Sequence, residues 1–195
     1  MREVDNSSRA YSLIALTSLL TAFLVFSYGY SIIDDELGTE EPKTFTISSS
    51  LAHGNKPGVI IFLCLSYIYI VQLNKLREID QYLSIRNNLL LVSFALVISL
   101  LWITPTDYEE AHYTEAGIIF LLLFIYTVMT YYYFYKHHKT DKTFFYFMIG
   151  LSILITVGLI VFAGMHSDLD ADIFASFEIA FGTLFIISIF VTGFY

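Results

Sequence analysis

The chain has 195 residues, of which 56% are hydrophobic, 17% aromatic and only 14% charged, with a formal net charge of -8. Soluble domains carry about 25% charged residues, so the composition points to the membrane class, and the acidic balance excludes the basic stripe of a nucleic-acid binder. The lone cysteine, Cys64, sits in an apolar run, which excludes a disulfide framework and a cysteine metal site.

A hydrocarbon core of about 30 Å needs about 20 apolar residues in a helix. Six stretches predict such helices, at about 11–33, 57–76, 87–104, 113–135, 143–165 and 173–195. The third is the shortest and draws on Tyr82–Ile85 at its inner end. The first is too long for the apolar region of a signal peptide, and no clear small-x-small cleavage site follows it, so it is expected as a mature helix. The expected fold is therefore all-α, a single-domain integral membrane bundle of six transmembrane helices.

Lys and Arg set the expected orientation. Arg2, Arg9, Lys75, Arg77, Arg86, Lys136, Lys139 and Lys142 fall on one side, and only Lys43 and Lys56 on the other. The second side also carries Asp34–Glu36, Glu40, Glu41, Asp107, Glu109, Glu110, Glu115, Asp168, Asp170 and Asp172. Both termini are thus expected in the cytoplasm, with three acidic loops in a lumen or outside the cell. This places the glycosylation pattern Asn6-Ser7-Ser8 on the cytoplasmic side, where it would stay unused. Tyr131–Tyr135 and Phe144–Phe147 flank the basic loop 136–142 as headgroup-level aromatics would. No internal repeat supports an inverted-repeat transporter.

Candidate chemistry lies on the acidic side. Glu178 is the one carboxylate expected within a helix, where charge is costly and marks a bundle interior or watery cavity. Ala175 and Gly182 share its face and would let a neighbouring helix approach. His53, His112 and His166 fall one on each outer loop. Three imidazoles and a carboxylate make a zinc ligand set if the loops converge, although no pair has the i, i+4 spacing of a helical metal motif. His112, Ala116 and Phe120 align on one face at the start of the fourth helix, with Tyr113 beside them. Thr46 and Ser48 belong to a hydroxyl-rich stretch of the first outer loop that would fold over the bundle. No nucleophile-elbow glycines accompany these hydroxyls, which argues against a serine hydrolase.

Three landmarks together resemble the six-helix family of damage-regulated autophagy modulators, which includes the Golgi factor for GPI-anchor lipid remodelling. They are Thr46-Ile47-Ser48 before the second helix, His112…Ala116…Phe120 opening the fourth, and the Phe177-Glu178 pair early in the sixth. Phe45 stands where the family has proline, and Ser49-Ser50-Leu51 replaces its usual Asp-Thr-Gly. The resemblance implies a lipid-related or membrane-trafficking role. The expectation is a non-enzymatic protein with no cofactor, whose partners are membrane lipids and neighbouring membrane proteins, with no nucleic acid. Its outer-side polar cavity would be lined by His112, Tyr113, Glu178, Thr46 and Ser48. Two alternatives stand beside it: an assembly subunit of a larger membrane complex or virion membrane, and a metal-dependent lipid hydrolase using the outer histidines.

Overall fold

Apolar residues that recur at helical spacing, with no proline in the interior of any run, dictate the secondary structure. The computed structural model describes residues 6–37, 56–76, 83–103, 108–137, 141–164 and 171–194. Among these residues there are six helices and no strand: α1 Asn6–Leu37, α2 Lys56–Leu76, α3 Leu83–Ser99, α4 Glu109–His137, α5 Lys142–Gly164 and α6 Ala171–Phe194. Two of them, over Lys56–Leu76 and Glu110–His137, are long and apolar enough to cross a membrane, and shorter apolar helices span Ser84–Ser99, Lys142–Gly158 and Glu178–Phe194.

Helix ends follow local chemistry more closely than hydropathy does. Pro57 lies in the first turn of α2, where a missing N–H leaves no hydrogen bond broken. Asp141 precedes α5, and its carbonyl accepts from the Phe145 N–H at 3.2 Å. Glu110 lies in the first turn of α4, where negative charge complements the helix dipole. The third helix ends at Ser99, five residues before the expected limit of 104. The next residues tighten into a turn through Leu101 N–H to the Ile98 carbonyl at 3.2 Å and Trp102 N–H to the Ser99 carbonyl at 2.9 Å. Pro105 follows in sequence and disfavours helical geometry at Thr104.

Side-chain contacts fix the arrangement. Tyr11 meets Tyr69 with ring centroids 5.8 Å apart, and the Ser66 hydroxyl donates to the Ala15 carbonyl at 3.4 Å, so α1 and α2 run antiparallel. Tyr67 with Phe94 and Asn74 with Asn87 set α3 antiparallel to α2. Ser99 with Glu115 and Arg86 with Thr130 do the same for α3 and α4. Phe134 stacks on Phe145 at 5.5 Å, which reverses α5 against α4. Phe120 against Phe181 and Tyr126 against Phe185 show α6 running parallel to α4. The Ser12 hydroxyl donates to the Ile189 carbonyl at 3.2 Å and closes α6 back onto α1. Helix α6 packs against α1, α2, α4 and α5, which makes it the hub of an up-and-down bundle.

The bundle therefore has two ends. One carries Arg9, Lys75, Arg86, Lys136 and Lys142; the other carries Lys56 with Glu110, Glu115 and, further in, Glu178. We call these the basic and acidic ends.

Three buried apolar clusters form the core, and the outer faces are apolar as well. Large apolar side chains stand on the outer faces, among them Leu24, Leu65, Ile68, Leu91, Ile125, Leu154 and Ile160, the last two 66% and 65% exposed. Ser12, Ser66, Asn74, Ser93, Thr127, Thr130, Ser152, Ser188 and Thr192 are buried too. Most of these hydroxyls bond a carbonyl of their own helix, as Ser66 does to Phe62 at 2.7 Å and Ser152 to Met148 at 2.8 Å. That is how a hydroxyl is satisfied where water is absent.

Gly193 marks the tightest approach. A Cβ there would lie 2.2 Å from the Ser12 Cβ and 2.7 Å from its Oγ, so α1 and α6 cross with almost no side chain between them. Small residues at such crossings let two helix backbones approach closely.

Candidate functional site

At the acidic end, the first turns of α4 seat on the last turn of α3. His112 and Glu115 are three residues apart on α4 and so share one face. His112 is fully buried, and its Nδ1 lies 2.6 Å from the Ile103 carbonyl. A carbonyl only accepts, so Nδ1 carries the proton, and in the neutral ring Nε2 then presents its lone pair. That Nε2 is buried with no partner among the described residues. Beside it, the Ser99 hydroxyl donates to Glu115 Oε1, while Glu115 Oε2 is buried and unbonded. The imidazole thus closes the frayed C-terminal turn of α3, and its second nitrogen and the carboxylate form an acceptor-rich patch. Such a patch suits a donor, whether an ammonium, a hydroxyl or a cation.

Glu178 is 1% exposed on α6. Because α4 and α6 run parallel and Phe120 meets Phe181 at 5.4 Å, axial positions can be compared. His112 lies eight residues before Phe120 and Glu178 three before Phe181. At a rise of about 1.5 Å per residue, Glu178 sits about 7 Å further from the acidic end than His112. The two are buried at successive depths on neighbouring helices. Ala116, one turn on from His112, is also buried, and Phe120 covers the face below it.

Tyr113 is 45% exposed and meets the His112 ring edge-on, at 5.6 Å between centroids. Adjacent helical residues diverge by about 100°, so with His112 facing inward Tyr113 must face out. Thr46, Ser48, His53 and His166 lie outside the described residues. Among the described residues, no group of three or more His, Cys, Asp or Glu side chains is placed to hold a metal ion.

Ser99, Glu115 and the Ile103 carbonyl were not singled out by sequence. The i, i+3 spacing of His112 and Glu115 was the available signal for the carboxylate, obscured because Glu115 reads as one more acid of the outer loop. At the basic end, sequence uses Arg86 only as one of the charges that set orientation, whereas it lies fully buried in the first turn of α3. Its Nη2 donates to the Thr130 hydroxyl at 2.6 Å, and its guanidinium carbon stands 4.8 Å from the Tyr126 ring centre.

Comparison of the chain with protein-family models, curated proteins and solved structures returned no match.

Proposed function

We propose that the chain is a six-span membrane protein with a non-enzymatic, lipid-related role, binding a polar lipid group at the acidic end of the bundle. The observation that carries the reading is the apolar exterior: large apolar side chains face outward on helix after helix, while several hydroxyls, Asn74, His112 and Glu178 are buried. Monomeric soluble proteins seldom expose contiguous apolar area beyond a few hundred Å². Aromatics at the basic end, including Tyr132, Tyr146 and Phe147, are exposed as an interfacial belt would be. In this reading the basic end faces the cytoplasm and the acidic end a lumen or the exterior.

The lipid-related part rests on the buried acceptor patch of His112 and Glu115, and on the buried carboxylate of Glu178 one helix away. Buried ionisable groups inside a membrane bundle mark ligand paths by default. The resemblance to the autophagy-modulator family points to the same class of role. Two measurements test the reading. Alkaline carbonate extraction should leave the protein in the membrane pellet; release into the supernatant would overturn the membrane assignment. Lipid co-purified with the parent in mild detergent should fall in Glu178→Ala and His112→Ala, and retention equal to the parent in both would refute the site.

A further inference from the structure

Arg86 is the most demanding residue in the bundle. Its side chain is fully buried, and its Nη2 donates to the Thr130 hydroxyl. Nε and Nη1 are buried with no hydrogen-bond partner among the described residues. A guanidinium stays protonated in proteins, so these N–H groups remain donors at any working pH. A buried charge whose donors go unused is destabilising, and the Tyr126 ring face offsets only part of that.

Its place in the helix deepens the problem. Arg86 belongs to the first turn of α3, which holds no acidic residue. The free N–H groups of a helix N-terminus already favour an anion and oppose a cation. Two features of the same sign are therefore stacked at one point. Around them the wall is polar and neutral: Asn74, fully buried, donates to Asn87 Oδ1 at 3.0 Å and lies 3.5 Å from the Tyr126 hydroxyl. An anion would engage the unused guanidinium donors and neutralise the helix end together.

We propose that the Arg86 guanidinium, in the first turn of α3 against Tyr126 and Thr130 of α4, is a binding site for a phosphate group. Planar, delocalised guanidinium matches phosphate oxygens better than any other side chain. The site lies at the basic end of the bundle, the level at which a six-span arrangement puts lipid phosphates. Only the source of the phosphate, a lipid headgroup or a free ion, rests on the lipid-related reading above. The guanidinium is fully buried, so entry of the anion requires a neighbouring side chain to turn.

The test uses the full chain in uncharged detergent micelles, with the thermal transition followed as probe is added. The probes are inorganic phosphate and phosphatidic acid; the controls are chloride at equal ionic strength and diacylglycerol. A saturable rise in transition temperature with both probes, absent from the controls, is expected if any phosphate is accepted, and a rise with phosphatidic acid alone if a lipid headgroup is required. In Arg86→Gln the apparent affinity should weaken about thirty-fold or more, the loss expected when one partner of a buried charged contact is removed. Thr130→Val keeps the charge but releases its orientation, and should weaken binding about ten-fold. It decides the matter alone if Arg86→Gln does not fold. No response to either probe, or a response unchanged in the variants, overturns the site. Carbonate extraction separates the two proposals: a protein that stays in the pellet yet ignores both probes loses this site and keeps its membrane assignment.

Discussion

The closest helix crossing gives the sharpest test of the packing. Gly193→Ala places a Cβ 2.2 Å from the Ser12 Cβ, 2.7 Å from the Ser12 Oγ and 3.2 Å from the Ser8 carbonyl. The Ser12 Cβ cannot rotate away, because it is fixed to the α1 backbone, so the helices must separate or the α6 end must bend. Overpacking of this kind costs about 1–3 kcal/mol, and two contacts under 3 Å place it near the top of that range. Alanine in place of a helical glycine returns about 1 kcal/mol, leaving a net loss of about 2 kcal/mol. Ser12→Gly alone loses the hydrogen bond to the Ile189 carbonyl and introduces a helical glycine, together about 2 kcal/mol. Combined, the clash is gone and the alanine gain remains, so the double variant should lose only about 1 kcal/mol and be more stable than either single one. Unfolding in uncharged micelles, by heat or denaturant, measures all three. Additive losses of about 4 kcal/mol in the double variant would refute the close approach. Gly150→Ala is the internal control: nothing lies within 4 Å of its Cβ position, so it should gain about 0.5–1 kcal/mol.

Further outcomes follow from single contacts. Tyr131→Phe removes a buried hydroxyl that donates to the Leu184 carbonyl at 2.9 Å without changing ring packing, and should lower stability by about 1 kcal/mol in the same unfolding assay. No change would mean that this bond contributes nothing to holding α4 on α6. Cys64 is exposed on α2, about 12 Å along the axis from Lys56. In intact membranes a charged maleimide should leave it unmodified and label it only after denaturation in dodecyl sulfate. Rapid labelling before denaturation would place that face in water and count against α2 as a span.

Sequence was most informative where one physical term dominates. Hydropathy and length located all six helices, because an apolar run of that size has few other stable states. It erred at ends, where hydrogen bonding decides. The polar residues Asn6–Ser8 continue into α1, and α4 extends past its apolar run to Glu109 and His137. Neither extension is visible to a hydropathy window. Site residues divide the same way. The burial of His112 and Glu178 was readable, since each interrupts an otherwise apolar face. Arg86 was not, because a basic residue beside Asn87 and Asn88 reads as one more positive charge that sets topology. Its burial follows from the α3–α4 contact, through Leu90 and Ser93 on its own face, and a tertiary contact leaves no periodic trace. Tyr113 shows the converse: a polar ring next to a site residue reads as part of it, until the helical turn carries it to the other side.

The hub position of α6 has a consequence for how the chain is made. Helices emerge from the ribosome in order, and α6 is the sixth of them. Until it arrives, α1, α2, α4 and α5 lack a shared neighbour, and two hydroxyls wait for their acceptors. Ser12 waits 177 residues for the Ile189 carbonyl, and Tyr131 waits 53 for that of Leu184. A nascent chain of five helices therefore still has polar groups along the seam that α6 closes. Closure is a late event of long sequence separation, which slows it. Premature termination before α6 would leave an unsealed product, fit for degradation more than for residual activity.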